Sequence, residues 1–251
     1  MSEQPQPSIY GDTEANAHAA PKPIGIAEQI QGVFSEPAKL FERLSERPQW
    51  MGALLLHTML VLVFTIAWVI GVDAPGFVAA QIENSTRQFS GEQMQQAIEM
   101  GAKVMPVFAP LGGLFGALFF TLLLGAIYWA IGLASREDRQ WRPTYQHGLV
   151  AACVPALATI PYSLLGTLMA FTGDVGILRP DQIVPSSLGY WVEPESPKLA
   201  MLCCSLDVFL LFQYVVIFFA AKYALRSKLW GAALCVAVAL LSPIWRIVTA
   251  R

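Results

Sequence analysis

The chain is short of charge. Only 14% of its 251 residues are Asp, Glu, Lys or Arg, where a soluble domain carries about 25%. The net charge is −2, which leaves no basic footprint for nucleic acid. Histidine is confined to His18, His57 and His147, and cysteine to Cys153, Cys203, Cys204 and Cys235. All four cysteines lie in apolar stretches, and Cys203-Cys204 has no second pair and no nearby histidine. That spacing fits no zinc site or disulfide framework, so the thiols read as small buried hydrophobes. HExxH, a P-loop lysine, Gly-x-Ser-x-Gly and paired carboxylates within the apolar runs are all missing. No catalytic residue, cofactor or metal is therefore expected, and the chain does not read as an enzyme. Polar–apolar alternation is also missing, which excludes a membrane barrel. Residues before Trp50 contain no apolar core of a signal peptide, so the first apolar run is expected to direct insertion.

Apolar length is what the chain has. Hydrophobic residues make up 55% of it. They concentrate in five runs, 50–71, 111–133, 149–171, 199–221 and 229–248. Each is close to the roughly 20 residues that carry a helix across a bilayer, where helices satisfy every backbone polar group internally. The expected fold is an all-α membrane protein: a bundle of five transmembrane helices. Short interfacial helices are expected before the first span and in the first outer loop. Residues 1–23, rich in Pro, Ala, Gln and Asn, read as a disordered cytoplasmic tail. Residues 24–49 read as an amphipathic interfacial segment, and 50–251 as the bundle.

Basic residues set the orientation. Lys22, Lys39, Arg43 and Arg47 precede the first run; Arg136, Arg139 and Arg142 follow the second; Lys222, Arg226 and Lys228 follow the fourth. Those ten share one side of a five-span chain, against six in the longer remaining segments. The N-terminus is expected in the cytoplasm and the C-terminus outside.

Within 24–49, Ile26, Ile30, Val33 and Phe34 share a helical face. Ser35 is placed to cap a second helix that begins with Pro37 and carries the stripe Leu40, Phe41 and Leu44. The expectation is a collar along the inner headgroups, with Phe34, Phe41 and Trp50 at the interface; docking of a cytoplasmic partner is the alternative. In the first outer segment, Ser90 and Gln93 make a capping-box pattern ahead of Met94, Ala97, Ile98 and Met105, which predicts a surface helix over the outer mouth. Asn84-Ser85-Thr86 has the pattern of a glycosylation acceptor. Residues 172–198, with four prolines, read as an ordered loop.

Three features mark the span interiors. Gly112 and Gly116 form a small-xxx-small step that lets another helix approach closely; packing inside the bundle is favoured over a dimer seam. Pro155 and Pro161 are expected to kink the third span. Asp207 is the sole carboxylate of the span interiors. A charge at that depth faces protein or water, and a structural clamp is favoured over a proton or ion relay. Arg246, roughly 7 Å away in depth by helical rise but on a long flexible side chain, is its expected ion partner, and Tyr162 and Thr167, at similar depths, are candidate hydrogen-bonding neighbours.

Three segments also carry a resemblance. FSEPAKLFERLSERPQW, residues 34–50, resembles the stretch before the first span of bacterial Yip1-domain proteins, with Phe34, Pro37, Phe41, Arg47, Pro48 and Trp50 as the matching positions. PTYQHGLVAACVPALATIP, residues 143–161, is similar to the start of that family's third span through Tyr145, Gln146 and Pro155. LDVFLLFQYVVIFFAAKYALRSKLWGA, residues 206–232, resembles the fourth span and its basic exit through Leu206, Asp207, Phe209, Lys228 and Ala232. The resemblance implies five membrane helices, a cytoplasmic N-terminus and a bacterial inner membrane. Eukaryotic members bind small prenylated GTPases and carry an Asp-Leu-Tyr-Gly-Pro signature that this chain lacks, so GTPase binding is not implied. The expected role is a scaffold, adaptor or membrane-organising factor. Its partners would be membrane lipids and another membrane protein or a second copy, without nucleic acid. A small transporter or channel built on Asp207 is the alternative.

Overall fold

A computed structural model describes residues 23–83, 89–173, 175–192 and 196–249. The tail through Lys22 and the Asn84-Ser85-Thr86 triplet lie outside the described residues. The described elements are helical, in the order α1 (Ile26–Ser35), α2 (Pro37–Glu46), α3 (Met51–Gly71), α4 (Ala74–Glu83), α5 (Gly91–Ser135), α6 (Tyr145–Cys153), α7 (Ile160–Thr172), α8 (Leu188–Trp191), α9 (Pro197–Ser205), α10 (Val208–Phe219) and α11 (Leu229–Thr249). Four segments are long and apolar enough to cross a bilayer: Met51–Gly71, Gly91–Ser135, Tyr145–Thr172 and Leu229–Val248. A fifth apolar segment, Val208–Ala224, is shorter. The all-α, multi-pass fold agrees with the expectation from apolar length.

Two of the expected spans have different limits. The second does not begin near residue 111. Ser90 Oγ accepts from the Gln93 N–H at 3.4 Å, Gln93 Oε1 accepts from the Ser90 N–H at 3.1 Å, and the helix so capped runs without a break for 45 residues. At 1.5 Å per residue that is about 68 Å, roughly twice the hydrocarbon core. The predicted surface helix is therefore the first half of α5. Met105 packs in one cluster with Ala74, Phe77 and Val78 of α4, Met94, Ala97 and Ile98 are half-buried, and Pro106 and Pro110 are absorbed within the helix. The fourth expected span, 199–221, is two helices with a break at Leu206 and Asp207.

The third span is the central post. Pro155 ends α6, a 3-10 turn follows over Pro155–Thr159, and α7 restarts with Pro161 in its first turn. This segment is 72% buried along its apolar stretch, against 33%, 11% and 17% for the other three long segments. Cys153, Val154 and Leu157 are fully enclosed. Close approach is set by Gly148. A Cβ there would meet the Gly125 carbonyl oxygen, Trp129 Cβ at 2.7 Å and Trp129 N at 3.0 Å. A side chain at either Gly112 or Gly116, in contrast, would have nothing within 4 Å. That pair makes no close approach of its own: at this level of α5 it is Gly113 that meets α3, where a Cβ would sit 3.0 Å from Thr65 Oγ1.

The N-terminal helices turn their apolar stripe to the bundle. Val33, Phe41 and Leu44 are fully buried against the bundle, and Trp50 packs on the same core, half-buried. Phe34 is 44% exposed and stacks on Phe212 at 5.5 Å between ring centroids. Burial of Phe41 in protein removes it from any lipid contact. Ser35 is the last residue of α1, its hydroxyl turned back to the Gln31 carbonyl at 2.8 Å, and Glu36 takes the cap position of α2. Gly32 permits the tight turn: a Cβ there would sit 3.0 Å from Leu40 Cβ.

Candidate functional site

The two ends of the bundle are built from the segments that the charge count assigned to opposite sides. At the basic end, the chain after α5 meets the chain after α10. The Glu137 N–H donates to the Arg226 carbonyl at 2.9 Å, the Lys228 N–H donates to the Ser135 carbonyl at 2.7 Å, and Lys222 pairs with Glu137. The α2 terminus joins them. His147 Nε2 lies 2.9 Å from the Ser45 carbonyl. Its Nδ1 accepts from the Thr144 N–H at 3.0 Å, which places the ring proton on Nε2 as donor to Ser45. Arg226 donates to Ser45 Oγ at 3.1 Å and lies 5.0 Å from the Trp141 ring centre. It does so with φ of +46°, a left-handed conformation unfavourable for a side chain with a Cβ. Of these residues, sequence reading named Lys222, Arg226 and Lys228 as loop charges and His147 only as one of three histidines. It did not join them, because their links run over 102 and 181 residues of chain.

At the opposite end stands Asp207, which is completely buried. It is not inside a helix: it is the N-cap of α10. Its Oδ1 accepts from the N–H groups of Phe209 at 2.8 Å and Leu210 at 3.1 Å, and its Oδ2 accepts from the Ser186 hydroxyl. Backbone bonds close around it, with the Leu188 N–H donating to the Leu206 carbonyl at 3.1 Å and the Val208 N–H to the Ser186 carbonyl at 3.4 Å. A helix N-terminus favours a carboxylate through its free N–H groups and its dipole. The break in the fourth span thus has a local cause. Asp207 takes the backbone bonds that continuation of α9 would have used, and it fastens the 183–188 stretch to the start of α10.

The other candidates named from sequence do not gather on Asp207. Among the described residues the ion pairs are Lys39–Glu36, Arg43–Glu28 and Lys222–Glu137, and Asp207–Arg246 is not one of them. Tyr162 sets its ring edge-on to Phe64, 6.1 Å between centroids, in the α3–α7 seam. Thr167 donates to the Ser163 carbonyl at 2.7 Å.

Arg246 instead lines a cavity of about 240 Å³ between α5, α10 and α11, beside the end of α9. Tyr128, Ser205, Gln213, Tyr214 and Ser242 share its wall. Among the described residues of the lining, Arg246 is basic and none is acidic. Tyr128 is 1% exposed, and its hydroxyl has no hydrogen-bond partner among the described residues. Sequence reading passed over this cavity. Its polar residues are spread over four helices, and none forms a motif with its neighbours. The four cysteines are buried outside any disulfide, and no group of three His, Cys, Asp or Glu among the described residues is placed to hold a metal ion.

Comparison with known proteins agrees with this architecture. The Yip1 domain matches residues 32–246. Membrane protein YknW of Bacillus subtilis (strain 168) is 24% identical over 186 residues, covering 74% of each chain. No solved structure matches. The chain belongs to the Yip1-domain family.

Proposed function

We propose that this Yip1-domain protein is a non-catalytic scaffold that holds a membrane-protein partner at its basic end, with that end in the cytoplasm of a bacterial inner membrane. The observation that carries the reading is the way α1 and α2 are fixed. Phe41 and Leu44 are buried to 0% exposure, and Ser45 is bonded to both His147 and Arg226. A membrane anchor has no need of such a mount, whereas a docking platform does, since rigid presentation lowers the entropy cost of binding. The outward face carries Glu28, Glu36, Lys39 and Arg43 around a cleft of about 270 Å³. Mixed charge on a held surface favours specificity over unselective adhesion. The test is gentle extraction followed by identification of stoichiometric companions, for the wild type and for Lys39→Glu with Arg43→Glu. A companion lost in the double variant supports the scaffold.

A small transporter is the second reading. It is favoured by the broken fourth span and the polar cavity beside it, since interrupted helices build many transport sites. Against it, Asp207 is engaged by three local donors, and no acidic group is among the described residues of the cavity wall. Solute flux in liposomes that disappears with Asp207→Asn would favour the transporter.

A further inference from the structure

We propose that the cavity between α5, α10 and α11 is a hydrated vestibule, open at the Asp207 end of the bundle and closed at its inner end, that takes water and small uncharged hydroxyl-bearing solutes. The first argument is depth. Lys228, which leads into α11, donates to the Ser135 carbonyl at the end of α5, so both helices are measured from one level. At 1.5 Å per residue, Tyr128 lies about 10 Å from that level, Ala239 about 15 Å and Ser242 about 20 Å. α10 and the π-helical turn that prolongs it run the other way, from Val208 to Ala224. Gln213 falls about 8 Å below their start. These wall residues therefore reach from one end of the bundle to about the middle of a bilayer.

The second argument is the polar groups held at that depth. Gln213 and Tyr214 line the cavity in the interior of an apolar segment, and both are half-buried. Among the described residues, neither side chain hydrogen-bonds to protein, whereas Ser205 turns its hydroxyl to the Met201 carbonyl at 2.8 Å. An amide carries two donors and an acceptor, and a phenol one donor and an acceptor. Hydrocarbon offers them no partner. An occupant that both donates and accepts satisfies them, and a hydroxyl does both. A cavity of about 240 Å³ with several polar wall groups is roomy enough for a cluster of waters. It is smaller than the roughly 300–1,000 Å³ of sites that enclose drug-sized ligands, which limits any solute to a small one.

The third argument is the two ends. Ser242 is exposed, and Ser205 stands where α9 stops before α10 begins, so the mouth lies at the broken span. At the other end Tyr128 is 1% exposed and closes the floor. A closed floor makes the cavity a vestibule and not a pore. The vestibule stands independently of the scaffold role of the opposite end.

The experiment uses the full chain in phosphatidylcholine nanodiscs and hydroxyethyl methanethiosulfonate, a small uncharged reagent that itself carries a hydroxyl. The reagent reacts with thiolates, and apolar surroundings hold a thiol in its neutral form. Single cysteines replace Ala239, in the cavity wall, and Ala237, exposed on α11 outside the described wall and only about 3 Å away in depth. The native cysteines stay, because mass spectrometry of fragments after timed quenching reads each site separately. Ala239→Cys is expected to react about tenfold faster than Ala237→Cys, since only the former meets water. Gln213→Leu, which makes the wall apolar, is expected to slow the reaction at Ala239→Cys severalfold. Ser242→Trp, one turn nearer the mouth, is expected to do the same, while Val248→Trp, exposed at the same end but outside the described wall, leaves the rate unchanged. If Ala239→Cys does not fold, Ala152→Cys, on another helix of the same wall, takes its place with the same expectations. Equal rates at the wall cysteine and at Ala237→Cys overturn the proposal, whether both are fast or both slow. So does a fast wall reaction that neither Gln213→Leu nor Ser242→Trp slows, because the reagent would then arrive by another route.

Discussion

Asp207→Ala tests whether the carboxylate is a fastener or an ion partner. The substitution removes an N-cap, which costs about 1 kcal/mol. It also leaves the Ser186 hydroxyl and two backbone N–H groups without their acceptor. An abandoned buried polar group costs about 1–3 kcal/mol, and local water recovers part of the loss. The expected destabilisation is about 2–4 kcal/mol. At roughly 2–4 °C per kcal/mol for a chain of this size, the melting temperature in detergent should fall by about 5–15 °C. Asp207→Asn retains a carbonyl oxygen for the N–H groups and an amide N–H₂ for Ser186 Oγ, so it should recover more than half of the loss. Double-mutant cycles then separate the partners. Asp207→Ala with Ser186→Ala should be clearly less than additive, because the two side chains share a bond. Asp207→Ala with Arg246→Ala should be additive. Strong coupling to Arg246 with none to Ser186 would refute the fastener and restore the pairing expected from sequence depth alone.

Three further comparisons probe the packing. Gly148→Ala places a Cβ against the Gly125 carbonyl and the Trp129 backbone, which cannot swing aside, and should prevent accumulation of folded protein; Gly112→Ala and Gly116→Ala, with open space around them, should leave expression and melting unchanged. Phe41→Ala should cost about 3–5 kcal/mol as a buried aromatic deletion, while Phe34→Ala should cost about 1 kcal/mol, the scale of an aromatic pair; equal losses in detergent melting would return both to a lipid-facing collar. Arg226→Ala should destabilise through its bonds to Ser45 and Trp141, and Arg226→Gly should lose about 1 kcal/mol less, because glycine relieves the positive φ; a glycine variant worse than alanine would contradict that conformation.

The sequence was most legible where physics acts locally. Apolar runs near bilayer length announced the helices, and the Ser90–Gln93 box and Pro155 marked a start and a break that the structure contains. That the segments after α2, α5 and α10 share one end of the bundle was legible too, because short loops leave the chain little choice. What failed were inferences from depth. Counting residues placed Asp207 within a helix beside Arg246, but counting assumes an unbroken span, and the capping ability of an aspartate creates the break. The Gly112–Gly116 step had the right spacing for close packing, yet spacing does not say which helical face turns inward. Gly125 and Gly148 settle that, and their meeting is a tertiary fact. The cavity and the Ser45–His147–Arg226 junction were invisible for the same reason: their residues are assembled by the fold across long stretches of chain.

The scaffold reading is tested most directly by a photo-crosslinking residue placed at Lys39, on the outward face of α2, in living cells. Phe119, on the exposed face of α5, serves as the lipid-facing control. The account predicts one discrete protein adduct at Lys39 that is lost when Arg43→Glu is added, and no such adduct at Phe119. Absence of any adduct at Lys39 in a folded, membrane-inserted protein, together with Asp207-dependent solute flux in liposomes, would contradict it.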